Sequence, residues 1–553
     1  MVSLSFDLSI TDILDIVVSL FLVWVILDII GIGTPEKIEG LFSIPETPII
    51  GNLLEIWNHP SKVFMHWGAV YRKDMFQIRI GCKRMIVVNS FDDIKQLWVN
   101  HAVANNSRPV SFTFHDIVSA SQGFTVGSTP AGETYQRKKK TISMELNRRN
   151  VDLLSSILDE ETKYTMKKIV CQNIELNCLP SENIYNYINT RFSDIDLLKY
   201  GQYFALRSAI SIAYGWQMDC FNSDSELAHE IIEVESEIIK LRSPITNLQD
   251  YFPFLRYKPL SLLSNASKAN FWRIRRDKYM DYLLENLQQR IQMKNLSACQ
   301  SLIGRCLLQN TSELSFAEIQ SLCLTLVSAG LDNTSFNFNH LMGHLSHPNY
   351  GYLIQETAFK KLMDCYDDNA IKAWKLSAYE MKCDYILALV EECFRFFTVL
   401  PLALPRTTTK KVRYKNINIP EDTILFMNAY AANHDPSRFP EPFEFIPERW
   451  LDKNTGKMLS SKQISHLAFG AGSRKCSGQH LAVKGLYTLT ARMILLFKIR
   501  RPIDSSMLMV LDPFQNDSCP NATSFEPKPF KVRLKQRHHR DSNALYNILT
   551  KRN

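Results

Sequence analysis

Phe469-Gly-Ala-Gly-Ser-Arg-Lys-Cys-Ser-Gly478 is the stretch on which the reading of this 553-residue chain turns. It sets one cysteine, Cys476, on a loop bracketed by Gly470, Gly472 and Gly478 and followed by a helical run from about Gln479. Glycines let such a loop turn tightly and aim peptide N–H groups at the sulfur, and the positive end of the following helix lies beside it. Both effects lower a thiol pKa and suit a thiolate bound to a metal. Taken alone, Cys476 also reads as a buried structural thiol.

Composition narrows the context. Hydrophobic residues at 45% and charged residues at 22% describe a folded protein with ample core, and no repeat or low-complexity linker divides it. A net charge of +8, from 64 basic and 56 acidic residues, is modest for this length and comes with no nucleic-acid-binding motif. The 12 cysteines form no CxxC pairs and the histidines no zinc-type clusters, so neither a disulfide framework nor a zinc site is indicated and a reducing compartment is the natural reading.

At the N-terminus, Ile13 to Ile32 is apolar apart from Asp15, Ser19 and Asp28, about the length needed to cross a bilayer. No Lys or Arg precedes it and no small-residue cleavage site follows, so residues 1–32 read as a membrane anchor, with a signal peptide or a helix lying on the surface as the rivals. Asp28 is expected at a membrane interface, because a carboxylate at the bilayer centre costs about 2.5 kcal/mol or more. Pro45, Pro48 and Gly51 make residues 33–55 a turn-rich connector that sets the anchor apart, residues 56–536 the catalytic domain, and residues 537–553 a basic, frayed tail.

Within the body, alternating β-branched residues in Phe76–Ile80 and Met85–Val88 predict a hairpin, and Val412 to Leu425 predicts another. Helical periodicity prevails elsewhere, so the fold class is mainly α with a small β region. Ser315-Phe-Ala-Glu318 is a capping-box start for a long buried helix ending near His347-Pro348. Inside it, Gly330 and the polar Asp332, Asn333 and Thr334 interrupt an apolar run, predicting a local bulge with trapped water, although these residues could simply satisfy one another. Glu392 and Arg395, three apart, share a helix face and predict an ion pair. The basic run Arg137 to Lys140 is a solvated face that could dock an acidic partner. Between Val151 and Asn310 no motif carries chemistry.

Phe469, Gly472, Arg474, Cys476 and Gly478 together resemble the haem-binding loop of the cytochrome P-450 family. That resemblance implies a single large catalytic domain of that fold, with haem b ligated by Cys476, Arg474 and Arg406 on haem propionates, and Phe469 beside the ring. It puts Tyr135 and Lys139 in the places of a propionate-binding tryptophan and arginine. Asp332 matches the acid of the family's oxygen-activating helix, Asn333 stands where a threonine is usual, and Thr334 is one place late. It joins Arg449 of Phe445-Ile-Pro-Glu-Arg-Trp450 to the Glu392–Arg395 pair as a brace under the cysteine loop.

The implied activity is a monooxygenase that uses O2 and takes electrons from NADPH through a partner cytochrome P-450 reductase, at the endoplasmic reticulum membrane with its catalytic domain cytosolic. Residues 107–130, 328–332 and 521–530 look most like the fungal phenylacetate hydroxylase group, which implies ring hydroxylation of phenylacetate or a hydroxyphenylacetate. The implied pocket takes in Phe112, Phe114, His115, Gln122, Ala329, Leu402, Ala403 and Leu404. A carboxylate substrate wants a cation, yet Val110 to Ser128 has no Lys or Arg, leaving His115, Gln122, Asn333 or backbone N–H groups to serve. Lipid, sterol or xenobiotic oxidation, a haem-thiolate isomerase or dehydratase that does not use O2, and a non-catalytic haem sensor remain open.

Overall fold

The computed structural model describes residues 34–173, 194–243, 245–308 and 314–550, with Asp15, Val18, Ser19, Leu22, Val23, Val25, Ile26 and Asp28 near the N-terminus. Among the described residues the long helices are α1 (Pro60–Tyr71), α2 (Glu133–Glu145), α3 (Ser155–Asn173), α4 (Leu198–Tyr214), α5 (Ser225–Lys240), α6 (Ala266–Gln292), α7 (Phe316–Ser346), α8 (Gly351–Cys365), α9 (Asp384–Phe397) and α10 (Gln479–Leu496). The strands are β1 (Met75–Ile80), β2 (Lys83–Val88), β3 (Asp194–Ile195), β4 (Arg406–Thr407), β5 (Val412–Tyr414), β6 (Ile417–Ile419), β7 (Ile424–Met427), β8 (Phe497–Arg500) and β9 (Val532–Gln536). The fold is mainly α with small sheets.

Helix α7 is the axis. Its capping box forms as the sequence predicts, Glu318 N–H donating to the Ser315 hydroxyl and Ser315 N–H to the Glu318 carboxylate. Most of its side chains are buried, because α4, α9 and α10 pack around it. The predicted bulge is absent: the α-helix runs unbroken through Gly330, where Asn333 and Ser335 donate to carbonyls one turn back, Ala329 and Leu331, and so use side-chain polarity without opening the backbone.

The first hairpin pairs Ile80 with Lys83 as expected. The second is shorter than expected. β5 and β6 pair with each other, while β7 leaves them to run parallel to β2, giving the sheet order β1-β2-β7-β4. On the larger sheet Leu425, Phe426 and Met427 are all buried.

Two terminal expectations are corrected. Of the expected connector 33–55, the described residues 34–55 are not detached: Ile38, Leu41, Ile44 and Leu53 are buried, and the Gln77 amide on β1 exchanges hydrogen bonds with both Ile38 backbone groups. Nor are the described residues 537–550 of the expected tail 537–553 frayed. Arg537 is buried and pairs with Glu356 at 2.8 Å, and the helix Ser542–Thr550 inserts Leu545, Tyr546 and Leu549 into the main core, an amphipathic spacing hidden in a basic stretch. Among the described residues no helix is long and apolar enough to cross a membrane. The expected anchor at 13–32 lies largely outside them. Its described residues are helical, Val18, Leu22, Val23 and Ile26 are exposed, and Asp28 is held against the body by Arg79 at 3.0 Å and by the Ile49 N–H at 2.8 Å. The Asp28 carboxylate therefore answers a protein cation and not a lipid interface.

Candidate active site

The cysteine loop closes on itself. Cys476 N–H donates to the Phe469 carbonyl at 3.0 Å, and Lys475 N–H to that of Gly472 at 3.0 Å. Gly472 has φ +61° and lies so close to the segment carrying Trp98 that a Cβ there would stand 1.7 Å from the Trp98 carbonyl oxygen, so no other residue fits. Phe469 packs edge-on against Phe394 of α9 at 4.8 Å, tying loop to core. Cys476 lies deep in the protein but presents accessible surface, because it borders an internal cavity of about 370 Å³. Backbone N–H groups of Gly478 and Gln479 and the charges of Lys139 and Lys475 favour its thiolate; burial outweighs them and pushes the thiol pKa up, against the lowering expected from the loop alone.

The same cavity is bordered by Ala329, Gly330, Asp332, Asn333 and Thr334 of α7. Asp332 is buried, and desolvation, helped by Glu526 and Glu235, raises its carboxyl to about 7. Its Oδ1 and the hydroxyl of Ser328, one turn earlier, are both buried without a partner. A helix face that leaves an acid and a hydroxyl unsatisfied at the edge of a space is suited to holding water or a polar ligand there. A Cβ on Gly330 would meet nothing within 4 Å, so the helix leaves room at that point.

On the cysteine side three guanidiniums converge, those of Arg108, Arg406 and Arg474. Arg406 donates to the carbonyls of Asn105, Trp98 and Ala471, Arg108 to those of Gly127, Leu404 and Pro405 at 2.7 Å, and Arg474 to Asn106 at 2.6 Å and Thr129 at 2.8 Å. Arg474 Nη2 has no partner. Burial first and mutual repulsion second push Arg108 well down and Arg406 to about 9; burial pushes Arg474 to about 10. Guanidiniums stay charged at neutral pH, so these shifts register a missing counter-charge. Haem b, with two propionates and an iron open to a thiolate, supplies that charge, and the donor set fits it.

Tyr135 and Lys139 border the cavity but are engaged elsewhere: the Tyr135 hydroxyl donates to the Ser473 carbonyl at 3.2 Å beneath the Arg474 guanidinium, and Lys139 donates to the Lys475 carbonyl and the Ser477 hydroxyl. The basic run is largely consumed too. Arg137 pairs with Glu318 at 2.8 Å, and Lys138 is buried against Phe124, Thr129 and Ser321. It is not the open cationic face that the sequence suggests.

Glu392 of α9 is the hub of a brace beside the loop. It accepts from Arg395 Nε and Nη2 at 2.8 Å, from Arg449 at 3.0 Å, from the Trp450 indole at 2.9 Å and from Ile446 N–H at 2.9 Å. The arrangement joins the residues that the sequence placed together and adds Trp450.

Of the expected pocket, Ala329, Ala403 and Leu404 border the cavity. Leu402 faces an adjoining recess beside Phe426 and Phe525. Phe112 lies under Arg256 and Phe114 under Arg242, each 4.6 Å from the guanidinium. His115 accepts from Ser111 N–H at Nδ1 and faces the Ser128 carbonyl with Nε2, while Gln122 donates to Asp281 at 3.0 Å, so local hydrogen bonding turns both away from the cavity. Sequence reasoning missed Trp98, Arg108, Ser328 and Arg242, all of which border it. Arg108 stood in view beside Pro109; Arg242 lies in a stretch with no motif, where only the fold brings it inward.

Comparison with known proteins came to the same place. The family model described as Cytochrome P450 matches residues 43–518. Phenylacetate 2-hydroxylase of Emericella nidulans is 36% identical over 501 residues, 91% of each chain. 3-Hydroxyphenylacetate 6-hydroxylase of the same organism is 32% identical over 91% of this chain and 90% of its own. A cytochrome P450 monooxygenase of Mycosarcoma maydis is 32% identical over 89% and 86%.

Proposed function

Because this chain belongs to the cytochrome P450 family and is a haem-thiolate monooxygenase, we propose that it hydroxylates the ring of phenylacetate or a hydroxyphenylacetate, with Cys476 as the thiolate that would hold the haem iron. Haem held there would supply O2 activation, with electrons from NAD(P)H through a reductase and electron density from the Cys476 thiolate. The chain's own residues do the rest. Gly478 and Gln479 N–H groups hold the sulfur's charge. Arg474, through its free Nη2, and Arg406 and Arg108, through their charge, would hold the propionates. Tyr135 and Lys139 support that set from behind, and Phe469, packed on Phe394, holds the cysteine loop to the core.

Asp332, neutral near its raised pKa, gives protons from the buried wall of the cavity, and Ser328 and Thr334 offer hydroxyls on the same helix. Asn333 spends its amide N–H on the Ala329 carbonyl at 2.8 Å, which leaves its oxygen to accept from a water. The retained acid supports proton delivery over an oxygen-independent isomerase.

The observation that carries the substrate reading is the pair of relatives whose names specify phenylacetate and 3-hydroxyphenylacetate, each matching nine-tenths of the chain. Turnover with NADPH, a cytochrome P450 reductase and either acid tests it: a ring-hydroxylated product is expected, and the absence of both binding and product contradicts it. The NADPH–cytochrome P450 reductase and the endoplasmic reticulum membrane are its proposed partners, with the exposed Leu22, Val23 and Ile26 resting on lipid, Asp28 pinning that helix to the cytosolic catalytic domain, and residues 34–550 acting as one catalytic unit.

A further inference from the structure

We infer that Arg242 is the specificity-determining cation that holds the substrate's carboxylate, an inference that rests on the arylacetate reading above and gives it a residue. Arg242 follows the end of α5 by two positions and borders the cavity together with Ile239 of that helix. It also borders the adjoining recess, and Ala403, Leu404, Thr523 and Ser524 are common to both spaces, so it stands at their junction. Arg108, Arg406 and Arg474 are each anchored to backbone carbonyls; among the described residues the Arg242 side chain makes no hydrogen bond or ion pair, and its Nε is buried and unsatisfied.

A buried guanidinium without a partner is costly, and such groups are retained where a ligand completes them. Glu235, whose charge acts on Arg242, makes no hydrogen bond to it: its Oε1 accepts from the Tyr279 hydroxyl, and burial raises its carboxyl pKa. The Phe114 ring 4.6 Å from the Arg242 guanidinium fixes its plane, which leaves its donors presented as a fork. A fork of that kind matches a carboxylate through two parallel N–H···O bonds. The apolar neighbours Ala205, Ala209, Ile212 and Ile239, on α4 and α5, then receive an aromatic ring. No residue of Val110 to Ser128 supplies the cation, and His115 and Gln122 are turned away, so the role falls to a residue from a different part of the chain.

The test is substrate titration of the haem-loaded protein, read from the substrate-induced absorbance change, for wild type, Arg242→Gln and Arg242→Lys, with phenylacetate and its neutral counterpart phenylacetamide. A charge-assisted pair predicts that Arg242→Gln raises Kd for phenylacetate by about 10- to 100-fold while Kd for phenylacetamide moves by less than about threefold, and that Arg242→Lys restores part of the acid's advantage. Equal losses for acid and amide assign Arg242 a structural role and overturn the inference, as does unchanged phenylacetate binding in Arg242→Gln. A wild type that binds no arylacetate overturns the substrate reading and the anchor with it, whereas a wild type that binds phenylacetate and a variant that keeps it overturn the anchor alone. Thermal unfolding of each variant separates a misfolded protein from a weakened site.

Discussion

Asp332 is the residue at which chemistry and stability are linked. Its carboxyl ionises at 3.8 in an open chain and at about 7 here, so the folded state holds a proton that the unfolded state releases. The corresponding stability is fully present below 3.8 and is lost as pH rises through about 7. Asp332→Asn should therefore melt higher than wild type at about pH 8 and lose that advantage in acid. The same variant should turn over about 100-fold more slowly while keeping its substrate-induced spectral change, since a positioned acid contributes on that order. Wild-type activity should fall as pH rises through about 7, and unchanged turnover in the variant would remove Asp332 from proton delivery. Asp332 was legible in the sequence as a polar break in an apolar helix; the unpaired Ser328 beside it was not, because one more serine in a buried helix carries no signal until its partners are counted.

At the scale of elements, the Glu392 brace ties α9 to the segment before the cysteine loop. Glu392→Gln leaves Arg395 and Arg449 facing a neutral amide and should cost about 3 to 5 kcal/mol in a denaturant titration. A change below about 1 kcal/mol would show the pairs to be dispensable. On α7, Gly330→Ala adds a methyl that meets no atom within 4 Å, so it should stabilise the helix by about 0.5 to 1 kcal/mol while narrowing the cavity and altering product distribution. An unchanged product pattern would place the substrate away from that turn. Glu392 and Arg395 were readable from a three-residue spacing. The exit of β7 to the larger sheet was not, because Ile424 to Met427 is an apolar run that either sheet could claim until tertiary burial decides.

For the whole molecule, mainly helical architecture and one catalytic unit were legible from periodicity and from five ordered motifs, whereas the ends were misread. Residues 34–55 and 537–550 looked like linker and tail because prolines and basic residues dominate their composition, yet a few apolar side chains in each are buried. Arg242 was invisible for a related reason: long-range packing, not local pattern, brings it to the cavity. Removing residues 1–27, which keeps the Asp28–Arg79 pair, should leave haem content intact and abolish flotation with liposomes; retained flotation would place lipid binding elsewhere. All of these readings depend on the thiolate at Cys476. The reduced protein under carbon monoxide tests it most directly: the account predicts the red-shifted Soret band characteristic of haem-thiolate proteins, lost in Cys476→Ala, and a holoprotein lacking that band, or a Cys476→Ala variant retaining it, would contradict the assignment.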